Sequence, residues 1–537
     1  MSLEQVKETG PTTVNFWHEQ KDLMLVSLTV LFFYLSFPGA DLPYFAWIAI
    51  VPALLAMQSA KPRHAFFIGL LAALFGWMVS IWWSVEGVAK ISQSHPSTIL
   101  PIIFCFCIYS ALPYALSSWL YCRFQWQRSI LGALKFATVL TLLVNYTPQL
   151  LPGNLAHSLY IQPSLIQLAA IGGVPLVFFV IHIVNALFAH ALYLQKYKIR
   201  GAMHAVLLAV AICVANGWYG HVQLQKSPIE TSSKQTLNVA IVQPNIGIDE
   251  RSREDWPAAQ EKINQLIEQA KAQHIPIDLI VLPEVPVPIS YQNYSSDRLS
   301  MNNWSEIADV LSTSISFDGQ SSSLEKATQY YNSVEHISHQ RLQTSYHKQR
   351  LVPFAEYLPF EQELPWLRDI FPNTPNYNPG TNSPYIEIDN QQISTSVVPL
   401  ICYEAVFSGL VGQGVAAGGS VLLNVVNDAW FADLAGKKVH LALSLFRAVE
   451  YQRPLVRVTN NGISGLINHK GVFDPNSMLK LHDANVKIVR VTPITENTIY
   501  QRYPRLFLLV AVLFLVLTIF TPYLRTTFKR KSQHEPM

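Results

Sequence analysis

The sequence predicts two materials in one chain: a multi-pass α-helical membrane domain and an α/β domain. Three observations lead there. Half of the 537 residues are hydrophobic and only 14% are charged, against about 25% in a soluble globular protein. The shortage is uneven, because of 38 basic and 35 acidic residues only 17 lie before residue 221. Beyond residue 236, short Val/Ile/Leu-rich runs alternate with helical patterns, as in a sheet covered by helices. A wholly soluble enzyme, a secreted disulfide scaffold and a disordered chain are excluded.

Apolar runs near 23–37, 44–59, 65–84, 98–121, 130–147, 164–194, 202–219 and 505–522 are read as crossings of a ~30 Å hydrocarbon core, which takes about 20 helical residues. With the amino terminus cytoplasmic, the inner connections hold Lys61 and Arg63, then Arg123 and Arg128, then Lys196, Lys198 and Arg200. The outer connections hold only Lys90, an asymmetry that sets orientation by the positive-inside rule. The expected organisation is a cytoplasmic 1–22, about seven helices over 23–219, an extracytoplasmic domain over 220–503, a final helix over 504–523 and a basic cytoplasmic tail over 524–537. The first run has neither a compact basic region before it nor a small-residue cleavage site after it, so it reads as a retained anchor.

In the second part, strands are expected at Leu237–Gln243, Leu279–Pro283, Thr395–Cys402, Val421–Asn427, Leu455–Thr459, Ile463–Asn468 and Val486–Pro493. Helices are expected over Trp256–His274 and Lys438–Tyr451 from their three- and four-residue apolar spacing. About 265 residues are enough to bury a separate core. The Ser- and Asn-rich stretch Tyr291–Ser323 reads as a long surface insertion. A net charge of +3 supplies no basic face for nucleic acid.

Three residues stand where strands give way to loops. Glu284 ends Leu279-Ile-Val-Leu-Pro-Glu, Lys348 lies in Tyr346-His-Lys-Gln-Arg, and Cys402 closes Val397-Val-Pro-Leu-Ile-Cys. Singly each has a plain reading, as a solvated turn carboxylate, a surface lysine and a buried thiol. Together they form a set for acyl transfer through a thioester. A thiol with pKa near 8.5 needs a base, which a carboxylate supplies, and an ammonium stabilises the oxyanion.

In order and spacing, Leu282-Pro-Glu284, His347-Lys348 with Glu356-Tyr, and Ile401-Cys402-Tyr-Glu404 resemble the Glu-Lys-Cys triad of the nitrilase (carbon-nitrogen hydrolase) superfamily. Leu351-Val-Pro-Phe-Ala-Glu-Tyr-Leu-Pro359, Asn427-Asp-Ala-Trp-Phe431 and Arg453-Pro-Leu-Val-Arg-Val-Thr-Asn-Asn-Gly-Ile-Ser464 narrow the resemblance to the apolipoprotein N-acyltransferase family. That resemblance implies an α-β-β-α sandwich held between membrane helices. It implies that Cys402 takes an acyl chain from a phospholipid, Glu284 handles protons, Lys348 stabilises the oxyanion, Glu356 orients Lys348, and Tyr403 and Glu404 shape the site. Glu404 has a second reading, as a favourable charge in a first helical turn. Asn427 and Trp430 are weaker candidates. The acceptor implied is the amino-terminal diacylglyceryl-cysteine of an apolipoprotein, and the place implied is the bacterial inner membrane with the site on the periplasmic side. A monomer is expected, with no cofactor and no metal.

Leu358–Phe371 is more apolar than an exposed loop and is read as an arm dipping into the bilayer surface, or as packing. Before the sixth crossing the family often carries a Glu-x-x-Arg pair and an aromatic Pro-Trp run. Residues Thr147–Tyr160 have neither; Glu86 and His157 are read as polar candidates for lipid headgroups, or as residues in interfacial water. The competing functions are a membrane-tethered amidase and a non-catalytic membrane scaffold.

Overall fold

The computed structural model describes residues 10–226, 236–247, 250, 255–284, 298–317, 329–390, 393–431 and 433–518. Residues 1–9 and the basic tail lie outside them.

Among the described residues, four helices are long and apolar enough to cross a membrane: Pro62–Ser80, Pro96–Arg123, Ala169–Lys196 and Ala202–Gln225. Helix Gly10–Ser36 precedes them, and Ile130–Tyr146 and Leu506–Thr518 are shorter apolar helices. Helices Pro62–Ser80 and Pro96–Arg123 approach so closely that a Cβ on Gly69 would lie 2.2 Å from Ser118 Oγ. Small residues permit such backbone approach where lipid supplies no hydrophobic drive.

The run at 65–84 ends its helix at Ser80 and starts another at Trp83, and two further apolar runs are not continuous helices. The run at 44–59 folds as a 3₁₀ turn, Pro43–Trp47, then the short helix Val51–Ala56 and a second 3₁₀ turn. The run at 164–194 breaks at Gly172 and Gly173, the latter at φ +69°, a conformation that glycine adopts without Cβ strain. Pro175 follows, and the Val174 N–H released by the break donates to Glu450 Oε1 at 3.0 Å. The interruption therefore ties the membrane helices to the α/β part.

Among the described residues, eleven strands form two sheets. They are β1 Leu237–Gln243, β2 Leu279–Val281, β3 Asp309–Phe317, β4 Tyr330–Ser338, β5 Arg341–His347, β6 Ile386–Asn390, β7 Ile393–Ile401, β8 Val421–Val426, β9 Leu455–Thr459, β10 Gly465–Ile467 and β11 Asn485–Val491. The orders are β11-β1-β2-β3-β4-β5 and β10-β9-β8-β7-β6. The central pairs β1/β2/β3 and β7/β8/β9 are parallel, and the remaining neighbours are antiparallel.

Period-2 alternation gives each sheet two apolar faces. Val239, Ile241, Val281 and Leu311 face Val397, Ile401, Leu423 and Val458 in a core between the sheets. On the outer face of the first sheet, Ala240, Val242 and Ile280 pack beneath helix Trp256–Lys271 through Ala259, Ile263, Leu266 and Ile267. Each such Leu or Ile, fully buried, contributes about 1.5–3 kcal/mol. On the outer face of the second sheet lies helix Leu434–Tyr451, whose Asp433 cap accepts the Ala435 N–H at 3.1 Å. The layers are helix, sheet, sheet, helix, as the resemblance implies.

The expected separate core is only half right. Val398, Leu400 and Leu422 of the sheet, Val439, Leu443 and Phe446 of the helix, and Phe33, Trp77 and Ile181 of the membrane helices belong to one continuous cluster.

The surface insertion is a correction. Within Tyr291–Ser323, residues 298–305 are helical and Asp309–Phe317 is the interior strand β3, buried along nearly its whole length. Its polarity misleads because hydroxyls pair inside the fold: Ser316 Oγ meets Ser333 Oγ at 2.6 Å, and Ser333 Oγ meets His347 Nδ1 at 2.7 Å. Residues 291–297 and 318–323 of the stretch lie outside the described residues.

Candidate active site

The candidate residues gather at the carboxyl ends of strands from both sheets, outside which α/β folds place ligands. Glu284 follows β2 and Lys348 follows β5 of the first sheet; Cys402 follows β7 and Asn427 follows β8 of the second. Register brings the last two together, since Ile401 pairs with Val425.

On the first sheet's side, Lys348 Nζ donates to Glu284 Oε1 at 3.2 Å and to Glu356 Oε1 at 2.8 Å. Asn332 Nδ2, from β4, donates to the same two oxygens at 3.0 and 3.1 Å. The second oxygens are held by backbone: Asn427 N on Glu284 Oε2 at 3.2 Å, and Val352 N on Glu356 Oε2 at 2.8 Å. Lys348 is only 1% exposed, so the group must be neutralised where it sits. Burial disfavours its charge, but Glu284, then Glu356 and Cys402, outweigh burial and hold it well above the ordinary lysine range.

On the second sheet's side, Cys402 has φ +51°. For a residue other than glycine, such a sparsely populated conformation costs about 1–3 kcal/mol. Burial, then the Glu284 carboxylate, pushes the thiol well above its ordinary value, with Lys348 opposing. The resting group is therefore a thiol and needs a base to become a nucleophile.

Behind it, Glu404 is buried and accepts four bonds. Ile401 N reaches Oε2 at 2.8 Å; Gln349 N, Arg350 N and Tyr346 Oη reach Oε1 at 2.6, 3.2 and 2.9 Å. Burial pushes its carboxyl up to about 7 against those donors. Glu404 thus fastens the turn Cys402–Val406 to the chain just after Lys348, across the two sheets. Tyr403 Oη donates to the Leu150 carbonyl of the membrane part, and its ring meets Phe407 edge-on at 4.8 Å.

Sequence reading missed a third group. The Cys402 carbonyl accepts Asn424 Nδ2 at 3.3 Å and faces His440 Nε2 at 3.2 Å. Fully buried Asp428 joins His440 to Arg457, and its carboxyl is kept low: burial opposes ionisation, but Arg457 and His440 outweigh it. Asn424 carried a usable signal, as the one amide in the apolar run Val421-Leu-Leu-Asn-Val-Val. Asn332, among Tyr, Ser and Glu neighbours, carried none.

Other expectations divide. Trp430 ends the turn Asp428–Trp430, next to Phe431, whose ring stands edge-on to Trp83 of the membrane part at 5.1 Å. Glu86 forms an exposed pair with Lys90 at 2.8 Å. His157 is buried and its ring lies tilted against Phe446 at 4.9 Å, so it joins the two halves and does not face headgroups. In the proposed arm, Leu358 and Phe371 pack with Val85, Ala89 and Ile99, whereas Phe360 is 68% and Trp366 54% exposed. Packing and exposure coexist in one segment. Among the described residues, no group of His, Cys, Asp or Glu is placed to hold a metal ion.

A groove of about 1010 Å³ lies between Tyr34, Phe37, Phe75, Trp82 and Trp83 of the membrane part and Asp433–Ala435; Glu284, Lys348 and Cys402 are not among its lining residues.

Residues 238–502 match the carbon-nitrogen hydrolase family model, and residues 30–187 match the apolipoprotein N-acyltransferase N-terminal domain. The chain belongs to the apolipoprotein N-acyltransferase family. It is 26% identical to an apolipoprotein N-acyltransferase of Geobacter metallireducens, over 91% of this chain and 92% of that one. Apolipoprotein N-acyltransferase 1 of Treponema denticola is 25% identical over 93% and 95% of the two chains. One from Brucella suis is 31% identical over 49% and 50%. Kinship with this family extends over both the membrane half and the α/β half.

Proposed function

We propose that this chain is an N-acyltransferase that moves a fatty acyl chain from a phospholipid to the amino-terminal diacylglyceryl-cysteine of apolipoproteins. The observation that carries it is the placement of Glu284, Lys348 and Cys402 at one seam, in a chain matched along most of its length by relatives of that name. Glu284 takes the Cys402 proton and the thiolate attacks the phospholipid ester carbonyl. Lys348 Nζ stabilises the oxyanion. The ester C–O bond breaks, the leaving lysophospholipid oxygen takes the proton from Glu284, and a thioester remains. The acceptor's neutral amine, a useful fraction of an α-amino group with pKa near 8, then attacks the thioester. Its proton passes to Glu284, the thioester C–S bond breaks as the amide forms, and Glu284 returns the proton to the Cys402 sulfur to restore the thiol. Glu356 orients Lys348, and Tyr403 and Glu404 hold the turn that carries the nucleophile.

The apolar groove supports a lipid donor. The distribution of basic residues supports a cytoplasmic amino terminus, with the site on the periplasmic side of a bacterial inner membrane. A tethered amidase is not favoured, because the membrane half itself matches the acyltransferase N-terminal domain. The test is Cys402→Ala in cells: mature lipoproteins should lack the third acyl chain by mass, and its persistence would sink the proposal.

A further inference from the structure

The network behind Cys402 has no part in the proton and acyl transfers above. His440, on helix Leu434–Tyr451, has Nδ1 3.1 Å from Asp428 Oδ1 and Nε2 3.2 Å from the Cys402 carbonyl oxygen. A carboxylate and a carbonyl only accept, so each ring nitrogen faces an acceptor. The other Asp428 oxygen takes Arg457 Nη2 at 3.0 Å, which fixes the carboxylate and, through it, the ring. Arg457 also donates to Asn424 Oδ1, turning the Asn424 amide so that Nδ2 reaches the same Cys402 carbonyl at 3.3 Å. A helix and a strand thus converge on one backbone oxygen, that of a residue in the left-handed region. Such a residue persists only where its surroundings over-determine it. Asp428 also follows Asn427, whose N–H holds Glu284 Oε2, so one network reaches both nucleophile and base.

We propose that His440 is a positioning residue: backed by Asp428 and Arg457 and helped by Asn424, it clamps the Cys402 carbonyl and so holds the thiol in line with Glu284. This rests on Cys402 being the nucleophile. The clamp acts on acylation, because its contacts are to the backbone of the nucleophile's own residue.

The experiment follows acyl-enzyme formation on the full-length protein in detergent, by intact mass in a quenched time course with phospholipid, beside a melting curve. His440→Phe keeps a ring and removes both ring nitrogens. Its acylation rate should fall by about 30–100-fold, as a small misplacement of a reacting group can cost, while the phospholipid KM stays within roughly two-fold. His440→Gln, whose amide can still donate to the Cys402 carbonyl, should recover roughly a tenth or more of the wild-type rate. Equal rates in wild type and His440→Phe overturn the clamp. So does a loss confined to KM, or one that tracks the melting temperature and is not relieved in His440→Gln. If His440→Phe does not fold, His440→Gln decides, and it must be slower than wild type at unchanged KM. A wild type that forms no thioester, like a Cys402→Ala control, overturns the nucleophile assignment and not the clamp alone.

Discussion

The two sheets bring unlike halves to one site. The first delivers charge: Glu284, Glu356 and Lys348, with Asn332 between the carboxylates. The second delivers a backbone conformation, a cysteine at φ +51° whose flanking peptide groups are held by Glu404, Asn424 and His440. A charged half is sensitive to the loss of any one charge, because an unpaired buried ion costs more than the pair contributes. A half built on backbone hydrogen bonds is sensitive to geometry, and degrades by small displacements.

The sharpest way to break this contrast is Lys348→Met. Two buried carboxylates lose their ammonium, so stability should fall by about 3–5 kcal/mol and acylation by at least ~10²-fold, read by denaturation and thioester formation. Adding Glu284→Gln should return part of the stability and none of the activity. If stability does not return, packing and not charge holds that half.

Next in size is Asn332→Leu, which removes one donor from each carboxylate and keeps the side-chain volume. A loss of about 1–3 kcal/mol is expected, with acylation about ten-fold slower. An unchanged rate would mean that Lys348 alone sets both carboxylates.

The smallest effect lies on the other side, at Glu404. Its carboxyl, raised by burial to about 7, lies above the ordinary ~4.3. Its contribution is therefore full below about pH 4 and is lost as pH rises through about 7. The wild-type melting temperature should drop by about 2 °C more between pH 5.5 and 8.5 than that of Glu404→Gln, which does not titrate. Parallel curves would show that the four donors, and not burial, govern Glu404.

The same contrast governs what the sequence revealed. Strands β8 and β9 are Val/Leu runs buried on both faces, and β7 and β8 end at Cys402 and Asn427, so that half was largely legible. Strands β3, β4 and β5 read as DVLSTSISF, YYNSVEHIS and RLQTSYH, whose polar side chains meet one another inside the fold. Hydropathy marks such residues as solvated, and only pairing reveals otherwise. Glu284, Lys348, Cys402 and Glu356 were recognisable as a spaced set. Asn332 and His440 were not, since an amide and an imidazole gain meaning from the groups they bridge. The broken run at 164–194 belongs to the same class, because its free N–H answers to Glu450, far along the chain.

Helix Leu434–Tyr451 is buried from Val439 to Tyr451, with the second sheet on one side and membrane helices on the other. The α/β half is consequently not an excisable module. Cut free of its anchor, it would present Val439, Leu443 and Phe446 to water and lose the wall that steadies His440. The membrane here is a scaffold for the enzyme's interior as well as a place to keep it.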